Sequence, residues 1–418
     1  MKTLRRKIVL AAATAALVSV PATAMGAGFA NTAHSATATG MGTLGVANPG
    51  EGAMNFYNPA AMGFAEELSV YGGATLLLPS ADYTHADGEI TSETPFSVFT
   101  PPNLDATVPL GDSFAAGVSV AFPWGLGVEW PDDWHGRETF QSQSLETLNV
   151  NPNVAYHFED ADLSVAAGVQ LMRAAMEQRR VVTLRDDTEA DIHMGGLGHG
   201  IGASLSAQYR PTEELTVGAS YRSATRMSFT GNIHFGEEVN ETPYERRMID
   251  QGITTSITIP HTVNAGIGYD LTEELWLGFE ANYMTWSTYD EVRVEFDEQS
   301  PEGEPGEREP DLVQAADWHD AVALRLGGQY QVMDNLAVRG GTAVDMTPVP
   351  DSTVGPSLPD NNRFIFAGGL GYEQDALRVD LAYQFIMLPQ RVIDRDEPID
   401  GSYQMRSHVM GLSLGYGF

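Results

Sequence analysis

The chain ends with Met410-Gly411-Leu412-Ser413-Leu414-Gly415-Tyr416-Gly417-Phe418, in which large apolar residues alternate with glycine and serine. Successive residues of a β-strand point to opposite faces of a sheet, so this stretch predicts a strand with one apolar face and one small, polar face. A soluble β-sandwich would bury the apolar face against a second sheet, whereas a membrane barrel would turn it toward lipid. The alternation alone leaves both architectures open.

The same alternation occurs earlier in the chain, at residues 163–171, 275–280 and 377–385. In residues 377–385 the apolar row stands opposite arginine, aspartate, alanine and glutamine. Charged side chains on the second face are typical of a barrel with a polar lumen and a lipid-facing exterior. The alternation therefore favours the membrane barrel over the sandwich.

Six short segments share a turn pattern, in which a strand end meets polar or acidic residues and a Leu or Phe restarts the alternation. They are residues 109–114, 156–163, 209–215, 269–275, 330–336 and 372–377. Such segments are typical of tight hairpins, and the spacing between them leaves room for two strands and a longer loop. Six hairpins, one earlier strand near residues 68–78 and the final strand at 404–418 predict fourteen strands. The predicted fold is an all-β, transmembrane antiparallel barrel.

The N-terminus predicts export. Residues 1–26 combine a basic start, an apolar run from Ile8 to Val20, and small residues at Ala24 and Gly26, which is the layout of a secretory signal peptide. We expect cleavage after Gly26. No later stretch approaches the about 20 apolar residues of a membrane-spanning helix. The terminal Phe418 resembles the signal that the outer-membrane insertion machinery recognises, which predicts the cell outer membrane and its lipid as the surroundings.

Composition excludes several classes of function. The chain has no cysteine, so disulfides and thiolate metal sites are impossible. Four of the 23 basic residues lie in the predicted signal peptide, and the remaining 19 face 56 acidic residues, which argues against a nucleic-acid partner. No catalytic constellation stands out, so we predict neither an enzyme nor a cofactor. His193 and His199 lie in a glycine-rich stretch without acidic neighbours at ligand spacing, and we predict no metal site.

Motifs along the mature chain carry a family resemblance. The expected start Ala27-Gly28-Phe29 is followed by a Ser/Gly-rich stretch, by Asn58-Pro59-Ala60, and later by Trp124-Gly125-Leu126 and Asn151-Pro152-Asn153. In this order they resemble the FadL-type outer-membrane transporters of long-chain fatty acids and aromatic hydrocarbons. The resemblance implies that residues 27–65 form a hatch, which plugs a barrel made of residues 66–418.

Two segments become candidates for gating. Asn58 and Pro59 alone predict a turn, and the resemblance implies that they act with Ala60 as the hinge of the hatch. In the third strand, proline removes a ladder donor and glycine weakens packing. Phe122, Pro123 and Gly125 therefore either hold an inward kink beside a gap in the wall or mark the strand end at the rim. The resemblance implies a lateral opening here.

Charged and aromatic residues supply the remaining candidates. The arginines on predicted lumen faces either receive an anionic head group or balance lumen carboxylates such as Glu280 and Asp380; they are Arg222, Arg325, Arg339 and Arg378. Four aromatic residues near strand ends are predicted as an interfacial girdle rather than as ligand contacts; they are Trp130, Trp134, Trp286 and Tyr289.

The predicted function is passive transport of hydrophobic compounds, with long-chain fatty acids as the first expectation, through a hatch-gated monomeric barrel with a lateral exit. Residues 176–197 predict a short, charged loop after the fifth strand, where the resemblance implies a longer apolar insertion in fatty acid carriers. This difference widens the expected cargo to aromatic hydrocarbons. The alternative is a general, cation-preferring diffusion porin, suggested by the acidic segment 302–307.

Overall fold

The computed structural model describes residues 27–48, 50–184, 188–239, 248–297 and 311–418. The predicted signal peptide, residues 185–187 and the acidic segment 302–307 lie outside the described residues. Of the helices within the described ranges, none combines the length and apolar character needed to cross a membrane.

The strands belong to one sheet of 20 segments. In chain order they are β1 (Ser69–His85), β2 (Thr91–Glu93), β3 (Pro102–Leu110), β4 (Phe114–Ala121), β5 (Gly125–Glu129), β6 (Ser142–Phe158), β7 (Leu163–Thr183), β8 (Glu189–Tyr209), β9 (Leu215–Arg222), β10 (Thr225–Phe235), β11 (Gln251–Ile259), β12 (Thr262–Asp270), β13 (Leu275–Met284), β14 (Glu291–Phe296), β15 (Leu312–Ala315), β16 (Ala321–Met333), β17 (Leu336–Asp345), β18 (Arg363–Gln374), β19 (Leu377–Ile393) and β20 (Gly401–Gly417).

These segments form a closed barrel of fourteen wall strands. Six pairs of consecutive segments continue one another along the wall: β2 with β3, β4 with β5, β9 with β10, β11 with β12, β13 with β14, and β15 with β16. Every ladder is antiparallel, and β1 pairs with β20 from Ser69–Gly417 to His85–Gly401. This last ladder closes the barrel, so that no sheet edge is left to lipid. The predicted strand number is confirmed.

All six predicted turns are hairpin connections. For example, β8 ends at Tyr209 and β9 begins at Leu215, and the two strands pair directly. Two of the turns place aspartate in the left-handed region, at Asp162 with φ 46° and Asp375 with φ 54°. Aspartate tolerates this conformation better than most residues because its short side chain bonds locally. Acidic residues in these turns therefore serve the geometry as well as solubility.

The alternation predicted for the strands is present. On β7, Val165 and Val169 are exposed on the outside, whereas Ser164 and Gln170 face the lumen and are buried. On β20, Leu412 and Leu414 are exposed and Ser413 is buried. The outward apolar rows match the lipid-facing surface of a membrane barrel.

The prediction of a short, charged loop at residues 176–197 is wrong. β7 and β8 form a hairpin of 21 residues on each strand, and pairing continues to Thr183–Glu189. Inward apolar residues such as Ile192 and Met194 continue the alternation, and they pack with Ile233 and Ile253 of neighbouring strands. His193 and His199 are thus strand residues rather than loop residues.

The hatch lies inside the barrel and carries three short elements. They are α1 (Ala36–Thr39), α2 (Met54–Tyr57) and a 3-10 helix (Pro59–Phe64). Small residues of the wall let the hatch backbone approach closely: a Cβ atom on Gly218 would lie 2.2 Å from the Val46 carbonyl oxygen. The predicted boundary between residues 65 and 66 falls between the 3-10 helix and β1.

Candidate functional site

An apolar cavity of about 130 Å³ lies inside the barrel beside the start of the hatch. Its lining includes Leu126, Met176, Met194, Phe229, Ile257 and Leu358. The polar lining groups are amides and hydroxyls, and none of the described lining residues is charged. Such a lining suits an apolar guest. An apolar guest cannot pair with a charged side chain, so a charged lining group would be left buried and unpaired at a cost in free energy.

Phe29 of the hatch forms one side of this cavity. Its ring lies 4.7 Å from the ring of Trp286, 5.7 Å from Trp318 and 6.2 Å from Trp124, measured between ring centroids. The contacts with Trp286 and Trp124 are edge-to-face, the arrangement that aromatic quadrupoles favour. Phe29 is itself buried, so the cluster holds the first turn of the hatch against the cavity.

The girdle prediction for four aromatic residues is wrong. Trp286 and Trp130 are 0% and 1% exposed, and Trp134 and Tyr289 also pack in the interior cluster. Trp286 begins a short 3-10 helix after β13, and Trp134 follows the end of β5, so the chain turns both residues inward over the lumen. Proximity to a strand end was visible in the sequence, but the direction of the following loop was not.

The third wall strand is interrupted at the predicted position. β4 ends at Ala121 opposite Asn149 of β6, and β5 begins at Gly125 opposite Glu146. Three residues, 122–124, therefore face only two residues of β6. An extra residue of this kind makes a bulge that bends a strand and breaks its ladder. β5 continues to Glu129 beside β6, so the interruption lies within the wall strand.

The broken ladder is replaced by other bonds. The Thr147 hydroxyl accepts from the Trp124 N–H at 3.0 Å and donates to the Trp124 carbonyl at 2.6 Å. On the lumen side, Asn31 donates from its backbone N–H to the Pro123 carbonyl at 2.8 Å and from its side chain to the Phe122 carbonyl at 3.1 Å. The interruption thus bends inward and rests on the hatch.

Beside the interruption the wall has a stretch without strand pairing. β3 pairs with β4 as far as Leu104–Val120, and in the described part of the chain β5 pairs with β6 alone. Two small cavities of about 20 Å³ each follow β5 from the main cavity toward residues 94–97. The first shares Leu126 and Leu358 with the main cavity, and the second shares Gly127 and Val128 with the first. Together they trace a path toward the unpaired wall.

The Asn58-Pro59-Ala60 triad connects the hatch to β8 of the wall. Asn58 caps the 3-10 helix by accepting from the Ala60 N–H at 3.2 Å, and Pro59 occupies the first turn, where its missing donor is not needed. The Asn58 side chain also donates to the Val46 carbonyl at 2.8 Å, and the Ala60 N–H donates to the Ser206 hydroxyl at 2.9 Å. The triad is both a turn and an anchor.

Arg325 and Glu280 bind the middle of the hatch. Glu280 accepts from the backbone N–H groups of Gly45 and Val46, each at 3.0 Å. Arg325 lies 3.6 Å from the Glu280 carboxylate and donates to the Thr43 hydroxyl at 2.9 Å. Both side chains are buried, so each charge has its partner within the lumen.

Arg378 and Arg339 share the carboxylate of Asp380. Both arginines donate to this carboxylate at 2.7 Å, and the Tyr71 hydroxyl donates to it at 3.0 Å. Arg378 also reaches the hatch, where it donates to the Gly50 carbonyl at 2.6 Å. This network is the most connected polar contact between hatch and wall that we find in the described residues.

The fourth predicted arginine, Arg222, donates to the Phe56 carbonyl and lies 4.5 Å over the Phe56 ring. Arg363, which was not predicted, makes a similar contact: it donates to the Gly28 carbonyl at 2.8 Å and to Asp360 at 2.7 Å. Its inward position on β18 could have been found from the alternation that follows Arg363 in the sequence.

Three comparisons with known proteins bear on this architecture. Residues 16–418 match the family described as outer membrane protein transport protein (OMPP1/FadL/TodX). The chain belongs to this family. Over its full length this OMPP1/FadL/TodX protein is 24% identical to the long-chain fatty acid transport protein of Escherichia coli K12, with 99% of that protein covered. It is 22% identical to outer membrane protein P1 of Haemophilus influenzae, with 76% of this chain and 75% of that protein covered.

Solved structures show the same fold. A FadL homologue of Pseudomonas aeruginosa superposes with a TM-score of 0.82 at 20% identity, covering 94% of this chain and all of that chain. The Pseudomonas putida toluene transporter TodX gives a TM-score of 0.70 at 15% identity, covering 93% and 98%. This FadL/TodX-type chain is thus an outer-membrane β-barrel of a transporter family, and the diffusion-porin alternative is not supported.

Proposed function

We propose that this protein carries hydrophobic compounds passively across the outer membrane and releases them sideways through the wall at the interruption of the third strand. The observation that supports this most directly is the link between cavity and wall. Phe29 lines the apolar cavity, and its carbonyl accepts from the Gly125 N–H at 2.9 Å, at the first residue after the interruption. A guest that displaces Phe29 therefore breaks this contact and separates the hatch from the interruption of the wall.

The hatch makes a sideways route the favourable one. A straight route to the periplasmic side would have to break the hydrogen bonds of Arg325 and Arg378 to the hatch, and hydrogen bonds to charged groups are costly to lose. The route along β5 crosses two small cavities of mixed polar and apolar lining and ends where the strands are unpaired. In this proposal Asn58, Pro59 and Ala60 form the hinge about which the hatch adjusts, and flow follows the concentration gradient.

Long-chain fatty acids are the first cargo that we propose, since the Escherichia coli relative is named for their transport. Monoaromatic hydrocarbons are the second. The uncharged lining and the volume of about 130 Å³ favour them, because an apolar protein cavity of about 150 Å³ holds one benzene molecule. Competition between a fluorescent fatty acid and toluene for the purified protein would rank the two. The four lumen arginines remain proposed anion contacts only for a guest that displaces their present partners, which are hatch groups for Arg222, Arg325 and Arg378 and the wall residues Gln329 and Asp380 for Arg339.

The absence of cysteine allows a direct test of the coupling. Ala30 of the hatch and Trp124 of the interruption form an isolated antiparallel bridge, a pairing whose Cα separation suits a disulfide. We expect the variant Ala30→Cys/Trp124→Cys to bind cargo in both redox states, but to transport it at least about tenfold more slowly when oxidised. Uptake is measured in proteoliposomes before and after a reductant, and the single variant Trp124→Cys controls for the lost indole.

Equal uptake by the oxidised and reduced double variant would show that the hatch and the interruption need not separate, and the coupling would be wrong. The proposal also includes three further expectations. The protein is a carrier without catalytic activity, it works as a monomer in outer-membrane lipid, and the insertion machinery recognises its C-terminal strand.

A further inference from the structure

The outward face of three adjacent wall strands changes from apolar to basic at one level. On β7 the outward residues from Leu163 to Leu171 are apolar, and the next outward residue is Arg173. On β8 the outward row from Tyr209 back to Ile201 is apolar, and the next is His199. The wall strand formed by β9 and β10 carries Arg226 at the corresponding place. All three side chains are exposed.

These three residues lie at the outer edge of the apolar surface that faces the membrane lipid. Arg173 and His199 each lie ten residues from the strand end at their short turn, and Arg226 lies eleven residues from Leu215. At about 3.3 Å per residue and a tilt of about 40°, ten residues climb about 25 Å, which is the height of the apolar band of such barrels. The short turns face the periplasm, so these residues lie at the head groups of the outer leaflet.

Register brings the three residues together. Arg173 is directly opposite His199 in the ladder of β7 and β8, and His199 is opposite Ser228 in the ladder of β8 and β10. Arg226 lies two residues before Ser228 on the same face. Neighbouring strands are about 4.8 Å apart and two residues span about 6.6 Å along a strand, so the backbones of the three basic residues fall within about 12 Å of one another. We call Arg173, His199, Arg226 and Ser228 the outer basic patch.

The patch stands out because its charges are not paired. The outward arginines elsewhere on the wall have carboxylate partners: Arg293 lies 2.8 Å from Glu291, and Arg406 lies 3.6 Å from Glu93. Among the described residues, Arg173 has no hydrogen-bond or ion-pair partner, and Arg226 has one hydroxyl partner, Ser256 at 3.1 Å. Unpaired arginines are unexpected in a chain with 23 basic and 56 acidic residues.

Glu146 is the acidic residue nearest in register. It lies opposite Ala175, one outward row beyond Arg173, and forms no ion pair with it in the described structure. Arg173 is therefore exposed at head-group level, and no hydrogen bond or ion pair within the described residues uses its donors. A guanidinium donates two parallel bonds to a phosphate, and the Ser228 hydroxyl and the His199 ring add further donors on the same face.

We propose that the outer basic patch binds the phosphate of an outer-leaflet glycolipid, the phosphorylated glucosamine lipid of lipopolysaccharide, with its acyl chains on the apolar rows of β7, β8 and β9. The depth of the patch, its register and its lack of carboxylate partners all point to a lipid-linked phosphate. The site is separate from the interior cavity and does not depend on the proposed transport.

The test uses the full-length mature protein in detergent micelles and measures retention of phosphorylated and dephosphorylated lipid A by native mass spectrometry. We expect wild type to retain the phosphorylated lipid in preference to the dephosphorylated one. The variant Arg173→Gln/Arg226→Gln should bind the phosphorylated lipid roughly thirtyfold more weakly, because each arginine near an anionic head group contributes about a fivefold factor in affinity. The matched control is Arg293→Gln, an outward arginine with carboxylate partners.

Folding of each variant is checked by the heat-dependent mobility of the barrel in electrophoresis, which does not depend on lipid binding. Unchanged retention in the double variant would overturn the proposal, as would equal retention of the phosphorylated and dephosphorylated lipids by wild type. An equal loss in Arg293→Gln would also overturn it, since any outward arginine would then serve.

Discussion

The backbone N–H of Gly125 donates to the carbonyl of Phe29 at 2.9 Å, and this bond joins the floor of the cavity to the wall. Gly125 is the first residue of β5, and Phe29 belongs to the first turn of the hatch. The same hatch residue packs its ring against Trp286 and Trp318. A displacement of the Phe29 side chain is therefore expected to disturb the hydrogen bond at the strand interruption.

Replacing Phe29 with alanine should weaken cargo binding and loosen the hatch. The ring is buried against four aromatic residues, and removing such a ring from a packed core costs about 3–5 kcal/mol. Titration of a fluorescent fatty acid should show an affinity at least about tenfold lower. The control Phe114→Ala removes a ring that is 51% exposed on the lipid face. Equal affinities in the two variants would contradict the assignment of Phe29 to the cavity.

Gly341 and Gly340 offer a matched pair on β17. A Cβ atom at Gly341 would lie 2.2 Å from the Met41 carbonyl carbon, whereas at Gly340 the nearest atom is 4.0 Å away. We expect Gly341→Ala to push the hatch off the wall and raise the protease sensitivity of residues 27–65, while Gly340→Ala leaves both unchanged. The comparison is read by limited proteolysis of the folded barrel. Similar cleavage in both variants would argue against close packing at Met41.

Replacing Arg378 with glutamine should let ions pass the hatch more often. Its loss removes the bond to the Gly50 carbonyl and one of the two cations on Asp380, which keeps Arg339; a hydrogen bond to a charged group contributes about 1.5–3 kcal/mol. Single-channel recordings should then show more frequent openings than wild type shows at the same pH. Arg406→Gln is the control, because Arg406 lies on the outside of the same barrel. If the variant opens no more often than wild type, Arg378 does not contribute to keeping the barrel closed.

Glu51 should make hatch docking depend on pH. Burial in the hatch raises the pKa of Glu51 from 4.5 to about 7, and the opposing effect of Arg378 is smaller. One oxygen accepts from the Ala53 N–H at 2.9 Å and the other has no partner in the described structure. The docked hatch therefore holds this proton more tightly than a released one. Docking is strongest below pH 4.5 and weakens as the pH rises to about 7.

Channel openings should accordingly become more frequent between pH 5 and pH 8 in wild type. Glu51→Gln should remove this dependence, because glutamine does not ionise. The exposed neighbour Glu66 provides the control Glu66→Gln, which should keep the dependence. A pH response that survives in Glu51→Gln would assign it to another group.

The local sequence was sufficient to predict the strands and turns of the barrel wall. The alternation at residues 410–418 and the turn at 209–215 each depend on neighbours in the chain, because a strand's two faces and a tight turn are set by residues two to five positions apart. The inward parity of Arg325 and Arg378 followed from the same period. For these features the prediction and the structure agree.

Features that depend on distant residues were not decided by sequence. Trp286 was expected at the membrane interface and lies in the buried aromatic cluster beside the cavity, because Phe29 and Trp318 meet it from far along the chain. Residues 176–197 were expected to be a loop, yet pairing with β10 and packing beside Ile233 extend them as strands. The partners of the lumen arginines also became known only once the hatch was placed.

The sequence by itself thus determined the barrel, its strand number and the faces of its strands, because a period of two residues is a local property. The tertiary structure decided what fills the barrel. It places the Phe29 ring at the side of the cavity, the Phe29 carbonyl against the Gly125 N–H, and hydrogen-bond partners on the lumen arginines. These contacts join residues tens to hundreds of positions apart, so they depend on how the hatch packs inside the closed barrel.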